Sequence, residues 1–187
     1  MCIRDRFNIF GRTYDANFGK ENIYFANSGF YTRAQGYLNP QFEKITEQSV
    51  ETGSKVYILE GTSGGLNFSR KIEIENTGYS LKIEDTVNSV LGEDISMTPY
   101  VVIERDGSPV EEGGLMYTYL GPVFSSTKDT YEKYDFDDIR ESSYQNKSLG
   151  GWVALIQHYF LSAWIPDQNE EYLYQGRYGE NSGRYSL

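Results

Sequence analysis

The sequence is poor in the residues that most often carry chemistry. It has one cysteine, Cys2, and one histidine, His158. A lone thiol forms no internal disulfide, so cysteine neither requires nor excludes an oxidising compartment. A lone imidazole rules out a two-histidine zinc site and paired-histidine catalysis. His158 therefore reads as a core or capping residue rather than a general base. Basic residues are also scarce, with 17 Lys and Arg against 27 Asp and Glu, a net charge of −10. That balance disfavours phosphate-rich partners, so no nucleic acid is expected, and it disfavours adsorption to anionic lipid. Nowhere does an apolar run reach the roughly 18 to 20 residues of a membrane helix. There is no Gly-x-Ser-x-Gly elbow, and Gly61-Thr62-Ser63-Gly64-Gly65 lacks the Gly-Lys-Ser/Thr ending of a phosphate cradle. Asp135, Asp137 and Asp138 lack the glycine turn and distal glutamate of a calcium loop, and read as a solvated acidic edge. No catalytic residue, cofactor or metal site is expected.

What the chain has is aromatic side chains and turns: 17 Tyr, 10 Phe, 2 Trp and 19 Gly. A tyrosine-rich, helix-poor chain of this length fits one mainly β domain with a real core. Residues 1–6, Met-Cys-Ile-Arg-Asp-Arg, are followed by no apolar core of a signal peptide and read as a non-native leader. The domain is then 7–187. Short strands recur at intervals of 8 to 12 residues, the spacing of an antiparallel sandwich. Asn22 to Ala26 reads as a strand before a Ser28-Gly29 turn, and Lys55 to Glu60 as another. Further strands are expected at Ile95 to Glu104, Leu115 to Leu120, Glu171 to Tyr178 and Arg184 to Leu187. The clearest hairpin pairs Leu66 to Glu75 with Tyr79 to Val90 around Asn76-Thr77-Gly78. Its even series 66, 68, 72, 74 is apolar apart from Arg70. Tyr131 to Arg140 reads as an edge strand or extended loop, and Glu141 to Ser148 as a polar linker.

One stretch has helical spacing. Trp152, Leu155, Ile156, Tyr159, Phe160, Ala163 and Trp164 follow the i, i+3, i+4 rhythm of one helix face. Ser148 can cap its start, Gly150 and Gly151 allow a close turn, and Pro166 stops it. The pattern predicts an amphipathic helix over about 149–165, buried by its aromatic side as the plug of the β core.

The same stretch carries a resemblance. Gly-Gly-Trp-Val-Ala-Leu-Ile-Gln-His-Tyr-Phe (150–160) and Ala-Trp-Ile-Pro (163–166) resemble the signature near the end of the large periplasmic domain of the YidC/Oxa/Alb family of bacterial membrane protein insertases. Tyr131-Glu132-Lys133-Tyr134-Asp135-Phe136-Asp137 resembles its lead-in, and Asn22-Ile23-Tyr24-Phe25-Ala26-Asn27-Ser28-Gly29 an earlier strand and turn. The resemblance implies an antiparallel β-supersandwich of the galactose-mutarotase kind, with a helix near its carboxyl end. It also implies a fragment: membrane association would run through helices absent from these 187 residues, a helix before the domain and five after it. The implied location is the inner membrane of a double-membraned bacterium, with this domain in the periplasm. The implied partners are nascent membrane-protein clients, the Sec translocon and the SecD/SecF accessory proteins, and the implied work uses no cofactor. By position, the SecD/SecF contact falls within Arg70 to Gly121, and exposed strand edges around Ile72, Ile74, Tyr79, Leu81 and Ile83 are the candidates for it. The alternative is a secreted carbohydrate-binding or sugar-epimerising domain of mutarotase-like fold, with Tyr57, Tyr100, Tyr117 and Tyr119 along a groove. Tyrosine on strands is more often ordinary packing.

Overall fold

A computed structural model describes residues 14–15, 20–21, 24–38, 40–49, 53–90, 92, 94–106, 119–157 and 160–187. In chain order its elements are β1 (Tyr14–Asp15), β2 (Lys20–Glu21), β3 (Tyr24–Thr32), β4 (Gly36–Leu38), β5 (Gln41–Ser49), β6 (Lys55–Ser63), β7 (Leu66–Ile74) and β8 (Leu81–Ser89). They continue with β9 (Met97–Asp106), β10 (Leu120–Ser125), β11 (Glu132–Lys133), α1 (Phe136–Glu141), β12 (Tyr144–Leu149), β13 (Trp152–Gln157), β14 (Phe160–Trp164), β15 (Glu171–Gly179) and β16 (Arg184–Ser186). The protein is mainly β and its described strand pairs are antiparallel, as the turn spacing implied. The leader 1–6, Tyr117, His158 and Tyr159 lie outside the described residues, as does most of the strand expected over Leu115 to Leu120.

The chain forms two compact units, Met1–Asn27 with Val101–Leu187, and Ser28–Tyr100. It passes between them within β3 and within β9. The first unit is a sandwich. One sheet has the order β11-β10-β13-β14, and β12, β15, β16 and the end of β9 form the other layer. Phe124, Val153 and Leu155 from the first layer meet Ile103, Tyr144, Tyr174 and Tyr185 from the second, with Ile139 of α1 closing the cluster. Phe124 and Tyr144 stack with ring centroids 3.9 Å apart. Burial of this many large side chains, at about 25 cal/mol per Å² of apolar surface, is the main force holding the layers together.

The second unit is a four-stranded meander, β5-β6-β7-β8. Period 2 gives each strand two faces. One face carries Leu66, Phe68, Arg70, Ile72 and Ile74 of β7, and on it Leu66 and Phe68 pack with Phe30 and Leu38 of the β3–β4 hairpin. The opposite face carries pairs of opposite charge, including Lys44 with Glu60 and Lys71 with Glu84, beside Val56 and Ile58. The hairpin expected over residues 66–90 is there, in unbroken register from Leu66 opposite Ser89 to Ile74 opposite Leu81.

Three expectations are corrected. The helix over 149–165 is instead the antiparallel pair β13–β14. Trp152, Leu155, Ile156, Phe160 and Trp164 therefore sit on strands rather than on one helical stripe. Val153, Ala154 and Leu155 are 5, 0 and 1% exposed, so both faces of β13 are covered. A strand buried on both faces reads as a continuous apolar run, which periodicity does not separate from a helix. Ser148 caps nothing: it lies in β12, and its hydroxyl accepts the Thr127 N–H at 3.0 Å. Second, of the edge expected over Tyr131 to Arg140 only β11 is extended, and the short helix takes the rest from Phe136. Asp135 supplies its cap residue, and the Asp135 N–H donates to Asp138 Oδ2 at 2.9 Å. The polar stretch after it pairs as β12 with β15. Third, Ser28-Gly29 is no turn but the middle of β3. Glycine is needed at 29 for space, because a Cβ there would lie 2.8 Å from the Tyr100 hydroxyl.

Candidate functional site

Two groups of residues singled out from sequence have distinct surroundings. The first is the signature hairpin. Gly150 and Gly151 form the corner at which the chain leaves β12 for β13, which lie in different layers. Their φ values are +59° and +95°, which favour glycine. At Gly151 a Cβ would also overlap the Ser125 carbonyl oxygen. The Gln168 side chain holds the corner. Its Oε1 accepts the Gly151 N–H at 2.9 Å, and its Nε2 donates to the carbonyls of Gly151 at 3.0 Å and Pro166 at 2.7 Å. The Gly150 N–H donates to the Glu170 carbonyl, and the Tyr174 hydroxyl to the Gly150 carbonyl at 2.8 Å. Burial pushes the Tyr174 phenol up to about 12. Trp164 packs on the core and donates its indole N–H to the Val102 carbonyl at 3.2 Å. Trp152 is half-buried with its ring 6.0 Å from Tyr131. Leu155 is in the core, Ile156 is half-buried, and Phe160 is exposed. Pro166, expected to end a helix, instead follows β14 and offers its carbonyl to Gln168. This corner holds two layers together.

The second group is the β7–β8 hairpin. Ile74 faces Leu81, and Ile72 faces Ile83 across the pair. Ile72 is buried and Ile83 half-buried, but Ile74 and Leu81 are 37 and 42% exposed, and Tyr79 in the connecting turn is 75% exposed. The structure thus brings all five sequence candidates to one end of one hairpin, four of them on a single face. β8 is the last strand of its sheet.

Between the covered and the open ends of this face lies a residue pair that the sequence reading missed. Arg70 is 2% exposed and its guanidinium grips Asp85 with two bonds, Nε to Oδ1 at 2.7 Å and Nη2 to Oδ2 at 2.8 Å. It also donates to the Ser28 carbonyl at 3.4 Å and lies over the Phe42 ring at 5.5 Å. The signal was the single arginine in an apolar series; its partner follows only from the register, which pairs residue 70 with residue 85.

The candidates for other chemistry separate. Tyr119, Lys133, Asp135 and Asp138 line an open depression of about 500 Å³. The Lys133 ammonium lies over the Tyr119 ring at 4.6 Å, and the two carboxylates belong to the start of α1. Among the described residues no group of three or more His, Cys, Asp or Glu is placed to hold a metal ion. Of the tyrosines named for a groove, Tyr57 and Tyr100 lie in the second unit and Tyr119 in the first. Among the described residues no helix is long and apolar enough to cross a membrane.

Comparison with known proteins gives one consistent family. A family model described as the YidC periplasmic domain matches residues 16–187. Relatives named membrane protein insertase YidC include that of Haemophilus influenzae, 32% identical over 161 residues, which are 80% of this chain and 29% of the relative. That of Pseudoalteromonas translucida is 32% identical over 157 residues, 79% of this chain and 28% of the relative. That of Shewanella loihica is 26% identical over 140 residues, 75% of this chain and 26% of the relative. The chain therefore spans between 26% and 29% of the length of these three relatives.

Proposed function

The chain belongs to the YidC periplasmic domain family, and from that premise we propose that it is the periplasmic part of an inner-membrane insertase that assists insertion and folding of membrane proteins, alone or with the Sec translocon. The observation that carries this is the family match over 16–187. The sandwich suits the role of a rigid body that presents surfaces rather than reacting groups. Family and relatives give no support to a sugar-directed activity.

The part of the domain best suited to touch another protein is the β7–β8 hairpin. Ile74, Tyr79 and Leu81 expose apolar surface beside a strand edge, whereas Trp164 of the signature hairpin packs on the core. Exposed apolar side chains next to unpaired backbone groups favour association with a partner chain. SecD/SecF is the partner assigned to this surface, and nascent membrane proteins are the clients. Photocrosslinking residues placed at positions 72 to 83 of the full-length protein in intact cells should capture SecF. Capture from positions on the charged face of β5–β8 instead, or none at all, overturns the assignment of the surface.

A further inference from the structure

The sheet β5-β6-β7-β8 has two outer edges, and they differ. β5 loses register at a bulge between Phe42 and Lys44. A bulge twists an edge and discourages pairing. β8 keeps unbroken register with β7 over its whole length, contains no proline, and has no strand on its other side among the described residues. A regular, uncovered edge is a template for one more strand. We infer that β8 accepts an added β-strand from a partner protein, and that the strand's alternate residues read apolar, apolar, hydrogen-bond donor, apolar opposite Leu81, Ile83, Asp85 and Val87. This rests on the partner surface proposed above and names the chemistry it selects.

Each position follows from what lies beside it. Leu81, Ile83 and Val87 share a face with Ile74, Ile72 and Phe68, their partners in β7. An apolar side chain added next to them extends that row and covers Leu81 and Ile74. Asp85 breaks the row. Each of its oxygens accepts one bond from Arg70, which leaves each a further lone pair, and its side chain keeps 20% of its surface exposed. A lysine, arginine, serine or threonine at the facing position donates to it; an apolar residue there leaves the carboxylate covered without a third partner. On the other face Lys82 and Glu84 alternate, favouring an acidic and then a basic residue. A second copy of this chain fits poorly: antiparallel pairing of β8 with itself about Asp85 sets two carboxylates opposite each other, which repel.

The test uses the full chain and synthetic peptides of about nine residues, the length of β8. One peptide carries valine at the three apolar positions and lysine at the donor position, in both strand directions. Its companions replace the lysine by leucine, or methylate alternate backbone nitrogens. The expected result is saturable binding in one direction, with slowed amide exchange confined to β8. Leucine for lysine should weaken it about tenfold, and backbone methylation should weaken it at least as much. Asp85→Asn should erase the lysine preference; if that variant fails to fold, the peptide series on the unaltered chain still decides. Equal affinity for the methylated peptide, equal affinity for the leucine peptide, or protection away from β8 overturns strand addition. Crosslinks to SecF with those peptide results would leave the partner surface standing and remove only the strand mechanism. Strand addition without such crosslinks would do the reverse.

Discussion

Two hairpins hold much of the apolar sequence, and β13 of one and β8 of the other meet opposite fates. β13–β14 has strands on both sides of β13 and side chains covered on both faces, so Ala154 is wholly buried. β7–β8 ends its sheet, and its apolar face is covered at Leu66 and Phe68 but open at Ile74 and Leu81. The longer and more aromatic signature thus marks the packed interior at β13, while its second strand, β14, ends the sheet and leaves Phe160 and Leu161 exposed. The plainer stretch, an alternation interrupted by one arginine, ends in an edge with no further strand beside it among the described residues. Apolar content alone does not distinguish a covered strand from an exposed edge; the number of neighbouring strands does.

The sharpest way to break this contrast is at the glycine corner. Gly151→Ala forces a side chain into left-handed backbone and against the Ser125 carbonyl, and should cost about 4 kcal/mol, read as a lowered urea midpoint. Gly36→Ala is the control: φ there is +74° but nothing stands within 4 Å, so about 1 to 2 kcal/mol is expected. Equal losses at both positions would mean that backbone strain, not close packing of the corner, sets the cost.

Next in size is the buried pair. Arg70→Ala leaves Asp85 without its bidentate partner and should cost about 3 kcal/mol. The double change Arg70→Met with Asp85→Leu should regain most of that, since an apolar pair suits the surrounding row. Failure to regain it would show that the ion pair also fixes the strand register on which the proposed edge depends.

These two sites also show what was legible beforehand. The hairpin 66–90 was readable because alternation and a turn signal agreed, and both are local. The stretch 149–165 was misread because its aromatic residues satisfy helical spacing while tertiary burial covers both faces of a strand; nothing local records the strands on either side. Gly150 and Gly151 were marked as a close turn into a helix, whereas they form a corner that joins two layers, a long-range fact. Arg70 stood out, yet Asp85 became its partner only through register. Gln168 gave no signal at all, since its three backbone contacts are set by the path of the loop around it.

A smaller effect is expected at Tyr174, whose hydroxyl ties β15 to the corner. Tyr174→Phe should cost about 1 kcal/mol near neutral pH through the lost bond. It should also change the alkaline limb. Burial raises the folded phenol from 10.0 to about 12, so its contribution is constant below pH 10 and falls as pH rises from 10 towards 12, where the unfolded chain releases the proton first. The variant should lose that part of the decline. A parallel decline in both proteins would mean that the hydroxyl is not buried against the corner.

The smallest effect on stability carries the most weight for function. Leu81 is 42% exposed and ends a row that is open on its far side. Leu81→Lys removes little buried surface and should shift stability by no more than about 0.5 kcal/mol. If Leu81 serves recognition, the same change places a charge where an added strand needs an apolar neighbour, and binding of the lysine-bearing peptide should fall about tenfold at an unaltered urea midpoint. A midpoint that drops as it does for core positions would mean that Leu81 is packed in solution. The open edge would then be closed in the native protein, and the contrast between the two hairpins would disappear.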